Sequence, residues 1–277
     1  MDVNRVRQMA SQYLDYDMIK QYTELPPFPG NQVSLMLSFL HPDLQHGGRG
    51  ELFTLVTSLV QIGLDIHDRV EANDSDAGLL SMRSKQLKVL AGDYFSGRYY
   101  ELLATAEEIE AVGSMSDAIS DVNKLKMNLY LHKLQRDLSG EQYLQQLLAI
   151  RTRLFLAFES VMKSEYKDYW KQLLDSYTWY QILQDEYEQL LHLPNDYDGW
   201  ALWEMLHTLS GTDRINLEAT LQQPKQLSRL FQQYRLQEQL EAMIEEAARQ
   251  FIELADMHVA DKPSFEPIAT LVKSVQR

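Results

Sequence analysis

The sequence predicts an all-α fold, and three observations carry that expectation. Leu, Gln, Glu, Ala and Met are abundant, while Gly and Pro number only 12 and 8 in 277 residues, a composition rich in helix formers and poor in breakers. Apolar residues recur at spacings of three and four along nearly the whole chain, the period of one helix face. No internal repeat of about 30–45 residues is visible, which argues against a solenoid. With no long linker either, one domain of roughly ten helices over residues 1–277 is the simplest architecture.

The elements follow in order. A first helix is expected over about residues 3–22, ended by "ELPPFPG", whose three prolines and glycine break the pattern. A short helix, "NQVSLMLSFL", precedes the loop "HPDLQHGGRG". From about Glu51 to Glu71, Leu52, Leu55, Val56, Leu59, Ile62 and Ile66 line one face of a third helix. After the polar "ANDSDAG", a helix from about Leu79 to Thr105 contains "LKVLAGDYFSGRYYELLA". Its Gly92 and Gly97 each cost about 1 kcal/mol relative to alanine, which points to close approach of a neighbouring helix. Helices are expected over about 114–137, 141–163, 165–191 and 197–210, then one long helix over 225–257 and a short "FEPIATLVKSV". The aromatic run "SEYKDYWKQLLDSYTWYQIL" is most simply core, its alternative being a partner interface.

Composition also bounds function. With 45% apolar residues the chain can bury a substantial core. The absence of cysteine excludes disulfides, thiolate zinc sites and iron–sulfur clusters. The N-terminal "MDVNRVRQMASQYLDYD" has no apolar signal region, and no apolar run is long enough to span a bilayer, so a cytoplasmic location is expected. A net charge of −14 makes nucleic acid a poor partner. The seven histidines show no metal-ligand spacing, and no nucleophile elbow, P-loop or dinucleotide fingerprint occurs.

One cluster remains. "LDIHDRVEAND" places Asp65, Asp68 and Glu71 three residues apart on one helix face. Carboxylates so spaced can hold Mg²⁺ together with substrate phosphates. Arg69, four residues after Asp65, can instead make the cluster an ion-paired, solvated helix end. Spacing alone leaves both readings open.

Four segments in order resemble the trans-polyprenyl diphosphate synthase family. "HGGRGEL" (46–52) resembles its G-G-K-R-x-R-P segment, "IHD" (66–68) the start of its first aspartate motif, "VLAGDY" (89–94) a phrase on its next helix, and "YQILQDEYE" (180–188) its second aspartate motif. The resemblance implies an isoprenoid-synthase-type helical bundle in which two aspartate motifs bind Mg²⁺ and the diphosphate. The first motif's metal-binding positions fall on Asp68, Arg69 and Ala72, and the second's on Gln184, Asp185 and Glu188. Of the basic residues that would bind isopentenyl diphosphate, only Arg49 is kept, followed by Gly50 and Glu51.

This erosion resembles the small, non-catalytic component I of two-component heptaprenyl or hexaprenyl diphosphate synthases. It implies no catalytic, cofactor or metal residues in this chain, Mg²⁺ in a catalytic component II partner, and a role in setting prenyl length for the menaquinone side chain. Pairing with itself is the option when the partner is absent. Tyr94, Phe95, Tyr99 and Tyr100 are candidates to line the path of the growing tail. The competing reading is a self-sufficient Mg²⁺-dependent prenyltransferase or terpene synthase using unconventional carboxylates.

Overall fold

The structure, a computed structural model, describes residues 3–15, 19, 24–40, 48–70, 79–194, 196–221, 223–259 and 266–275. Every regular element among them is helical, as the sequence predicts. In chain order these are α1 (Val3–Leu14), α2 (Gly30–Phe39), α3 (Arg49–Asp68), α4 (Leu79–Thr105), α5 (Ile109–Gln135) and α6 (Gly140–Arg153). A 3-10 turn (Glu159–Val161) leads to α7 (Ser164–Leu191), α8 (Trp200–Thr208), α9 (Gly211–Thr220), α10 (Pro224–Gln233), α11 (Leu236–Val259) and α12 (Glu266–Val275). No helix among the described residues is long and apolar enough to cross a membrane. Backbone contacts group the chain into two compact units: Met1–Ile119 with Leu154–Trp170 and Ser264–Ile268, and Ser120–Arg153 with Lys171–Pro263 and Ala269–Arg277.

In the first unit α3 is central, with α1, α2 and α4 packed on it. It is buried on nearly every side from Gly50 to Ile66, as a helix apolar all round must be. Its buried hydroxyls, on Thr54, Thr57 and Ser58, donate to the carbonyls of Gly50, Phe53 and Thr54 at 2.7, 2.8 and 2.7 Å. They are thereby satisfied without leaving the core. Phe39 meets Tyr169 and Trp170 at ring distances of 5.4 Å, and Phe53 stacks on Phe158 at 4.5 Å. The N-terminal part of the aromatic run is core here.

Close approach of α3 and α4 rests on glycine, but not on both expected ones. A Cβ on Gly63 of α3 would lie 2.8 Å from the Ser96 backbone nitrogen and 2.9 Å from the Gly92 carbonyl oxygen. At Gly92 a Cβ would meet the His67 ring at 2.6 Å, whereas Gly97 has nothing within 4 Å. Gly97 therefore bears the entropic penalty of a helical glycine with no packing return. Gly97→Ala is expected to stabilise the chain by about 0.5–1 kcal/mol, raising the thermal midpoint by about 2 °C.

In the second unit α8 packs on α6, and α9, α10 and α11 follow as successive neighbours. Tyr177 contacts Phe251 at 5.1 Å, and Tyr197 contacts Phe231 at 5.5 Å. The expected 225–257 helix is broken: Arg235 adopts φ 55°, its N–H bonding to the Gln232 carbonyl at 3.0 Å, and α11 starts afresh at Leu236. Leu236, the first residue of α11, is buried. The break rephases the chain so that it can enter the core.

Similar left-handed residues, Glu107 and Arg136, stand just beyond the ends of α4 and α5. None of the three is the glycine that usually marks such an end. Because α4 closes at Glu107, α5 begins at Ile109, earlier than its apolar pattern indicates. The expected helix to residue 163 ends at Arg153 instead. There the backbone tightens, with Ala157 and Glu159 N–H groups bonding to the Leu154 and Leu156 carbonyls at 3.1 Å. This buries Leu154, Phe155, Ala157 and Phe158 together, more than one helical stripe accommodates. Helix α9 has a single buried residue, Leu217, so its sequence carries almost no periodic signal.

Candidate functional site

In the first unit, two of the segments that carry the family resemblance, "IHD" and "VLAGDY", meet at the C-terminal end of α3. His67 Nε2 lies 3.3 Å from Asp93 Oδ1, and its ring rests over Gly92. "IHD" and "AGD" thus form one local structure, with glycine making room for the imidazole. Gln61 Nε2 donates to Asp65 Oδ1 at 2.7 Å. Asp68 is the last residue of α3 and Arg69 follows it, both exposed. The Arg69 carbonyl accepts from Lys88 Nζ at 3.3 Å. Ala72, the third motif position, lies outside the described residues, as do Glu71, Asp74 and Asp76.

At the other end of α3, Gly48 takes φ 72° to open the helix. The one basic residue kept in this segment, Arg49, binds Glu108, with Nη2 2.7 Å from Oε2, and lies over the Phe53 ring at 5.7 Å. Hydrogen bonding to Glu108 holds its guanidinium above the ordinary arginine pKa, against the opposing effect of desolvation. Glu51 is buried and pairs with Arg5 at 3.1 Å. Where the resembled pattern offers cations to a diphosphate, this segment has one cation already paired and one inward carboxylate.

The four aromatic candidates on α4 are dispersed. Tyr94 and Phe95 touch at 5.3 Å, and Phe95 is fully buried in the helical core. The Tyr99 hydroxyl is 2.9 Å from Ser116 Oγ, and Tyr100 is exposed.

In the second unit, α7 carries the second motif. Gln184 Nε2 donates to the Tyr180 hydroxyl at 2.6 Å; Asp185 is ion-paired with Arg151 of α6; Glu188 lies 3.8 Å from His192 Nδ1. Asp185 and Glu188 are exposed. The residue between them, which motif positions pass over, is the one turned inward. Glu186 is 2% exposed and accepts the Trp200 N–H at 2.7 Å and the Tyr143 hydroxyl at 3.1 Å.

Burial raises the Glu186 pKa, outweighing these two bonds and the more distant Arg151 and Lys133. Burial likewise pushes the Tyr143 and Tyr197 hydroxyls up, with Glu186 adding to both. Trp200 is the first residue of α8, and the preceding Gly199 offers no side chain to cap it. Glu186 supplies the cap from α7. A Cβ on Gly199 would sit 2.5 Å from Glu186 Oε2, so glycine is what admits the carboxylate. Lys133 closes the cluster, bonding to Asp198 at 2.6 Å and lying over the Tyr143 ring at 5.0 Å.

Mg²⁺ binds through one or two carboxylates plus substrate phosphates, and these residues do not fit it. At the first motif a cation stands beside Asp68, and at the second Arg151 already neutralises Asp185. Among the described residues, no group of three or more His, Asp or Glu is arranged to hold a metal ion. Nothing in the sequence pattern marks Glu108 or Arg151. Only Glu186 had a signal, its helical phase with Ile182 and Leu183.

The family described as heptaprenyl diphosphate synthase (HEPPP synthase) subunit 1 matches residues 16–233. The heptaprenyl diphosphate synthase component 1 of Geobacillus stearothermophilus is 45% identical over 78 residues, 28% of this chain and 33% of the relative, so the alignment spans a third of that protein. A geranylgeranyl pyrophosphate synthase from Lactobacillus brevis superimposes with a TM-score of 0.71 at 12% identity, covering 99% of this chain and 96% of its own. For the heptaprenyl diphosphate synthase of Staphylococcus aureus the TM-score is 0.68 at 13% identity, with 100% and 97% covered. The octaprenyl pyrophosphate synthase of Helicobacter pylori gives 0.65 at 14%, with 99% and 98% covered. At such identities the likeness shows the fold, the all-α fold of isoprenoid synthases.

Proposed function

The chain belongs to the heptaprenyl diphosphate synthase subunit 1 family, and from that premise we propose that it is the non-catalytic subunit of a two-component polyprenyl diphosphate synthase. Its partner, a component II subunit with intact aspartate motifs, holds the Mg²⁺ ions, ionises the allylic diphosphate and adds isopentenyl diphosphate. This chain supports the partner's active conformation and helps to set the length of a prenyl product of the kind that becomes the menaquinone side chain.

One observation carries the reading: the charged residues at the motif positions are replaced or already committed within the chain. Arg69 follows Asp68 where a second carboxylate would serve, Arg151 pairs with Asp185, and Glu108 pairs with Arg49. Stabilising a departing diphosphate needs uncommitted positive charge, from metals and side chains together.

The test is turnover with Mg²⁺, farnesyl diphosphate and isopentenyl diphosphate. The chain alone is expected to give none, and the co-purified pair to give long prenyl diphosphates. Product formed by the chain alone would overturn the proposal in favour of a self-sufficient prenyltransferase. Asp68→Ala within the pair is expected to leave kcat within about twofold, the effect of an ordinary surface substitution. A loss of several orders of magnitude would place a catalytic metal here.

A further inference from the structure

Helix α10 has two faces of opposite character. Leu227 and Phe231 are buried, the latter against Tyr197. On the far side, Lys225, Gln226, Arg229, Gln232 and Gln233 keep the three- and four-residue spacing of a single face, and all are exposed. The helix lies in a run of 19 residues, 219–237, with three cations and no Asp or Glu, although at the chain's average of 40 in 277 it would hold about three. The acids that flank the run are engaged. Glu218 pairs with Arg136 and Arg214 at 3.3 and 3.6 Å, and Glu238 with Arg235 at 3.5 Å. Among the described residues, Lys225 and Arg229 bond to no carboxylate.

Charge and the lack of apolar surface together say what meets this face. Two uncommitted cations one helical turn apart, with glutamine amides around them, present hydrogen-bond donors suited to phosphate groups. A protein partner fits poorly. Interfaces between proteins have an apolar centre, and among the described residues no large apolar side chain is exposed between Ile215 and Met257. Nucleic acid fits poorly too, because its affinity comes from many phosphate contacts, and a net charge of −14 leaves no wide basic footprint. The headgroup layer of an anionic membrane needs neither apolar burial nor a long basic track. Repulsion from the acidic remainder of the chain is screened beyond about 8 Å at physiological salt, so the nearest face decides.

We infer that the outer face of α10 rests on the anionic lipid headgroups of a membrane surface. The choice of a membrane rests on the reading above, in which the product is a long prenyl diphosphate whose apolar tail leaves water for a bilayer. A basic face holds the subunit at the surface to which that product goes.

Flotation of the co-purified pair with vesicles tests it, phosphatidylglycerol against phosphatidylcholine, with turnover in detergent measured alongside. The pair is expected to float with the anionic vesicles, not with the neutral ones, and to be released as salt rises. Lys225→Gln/Arg229→Gln is expected to weaken binding about 25-fold, about fivefold for each cation, with turnover and thermal midpoint unchanged. Lys171→Gln/Lys273→Gln takes the same charge from exposed positions elsewhere in the second unit and is expected to float as the parent does. Equal losses from the two double variants would make the effect one of net charge and overturn the docking face. So would a parent pair that stays off anionic vesicles, or one that RNA or millimolar phosphate displaces at constant ionic strength. In each of these outcomes turnover by the pair leaves the two-component reading standing. A pair without turnover overturns that reading, whatever the vesicles show.

Discussion

Glu186→Ala is expected to destabilise the chain by about 3 kcal/mol, although it removes a residue that sits between two motif positions and touches no motif partner. The substitution strips the cap from α8, leaving the Trp200 N–H and the Tyr143 hydroxyl without their acceptor. A buried donor left unpaired costs about 1–3 kcal/mol, and here there are two, beside a cavity the neighbouring rings would only partly fill. Urea unfolding at neutral pH checks it. A loss under 1 kcal/mol would mean that water or Tyr197 takes over both donors.

The pH dependence gives an independent handle on the same group. Burial raises the folded-state pKa of Glu186 above its unfolded value. The folded protein therefore binds this proton more tightly than the unfolded chain does. Its stabilising contribution is complete below the unfolded pKa, near the ordinary glutamate value of about 4.3, and is lost as pH rises through the folded pKa. Glu186→Gln keeps the shape and an acceptor for the Trp200 N–H but does not titrate. The stability difference, wild type minus Glu186→Gln, is expected to grow in favour of wild type as pH falls from 7 towards 4.5. A difference that is flat, or that moves the other way, would mean that the Trp200 and Tyr143 bonds outweigh burial and keep the carboxylate charged.

The contrast between Glu186 and its neighbours shows what the sequence could convey. Helical class and most helix positions were legible because periodic burial leaves a periodic pattern, as along α3 and α7. The motif positions were legible as chemistry, and so was Arg69 beside Asp68. Three things had no local signature. Helix ends at Glu107, Arg136 and Arg235 use left-handed non-glycine residues, where the usual marker is missing. Helix α9 buries a single leucine, too little to set a period. The ion pairs of Arg49 with Glu108 and Arg151 with Asp185 join residues 59 and 34 positions apart, a distance at which spacing says nothing. These pairings, on which the proposed function rests, are therefore visible only once the chain is folded.

Glycine on the α3–α4 contact supplies the second large effect, and it is a comparison as much as a single value. Gly63→Ala should cost about 3 kcal/mol, the upper part of the range for overpacking, because the added methyl would meet backbone atoms of Ser96 and Gly92 at 2.8 and 2.9 Å. Neither atom can move without shifting α4 as a whole. Gly92→Ala makes a nominally closer contact, 2.6 Å, but to the His67 ring. That side chain is partly exposed and can swing away, giving up its 3.3 Å contact with Asp93, so a cost of about 1 kcal/mol is expected. With Gly97→Ala stabilising, the three substitutions of identical chemistry should rank 63, 92, 97 from most to least damaging in one set of unfolding curves. Equal effects at 63 and 97 would mean that α3 and α4 do not touch backbone to backbone. The joined "IHD" and "AGD" segments would then lose the packing that holds the first-motif end in place.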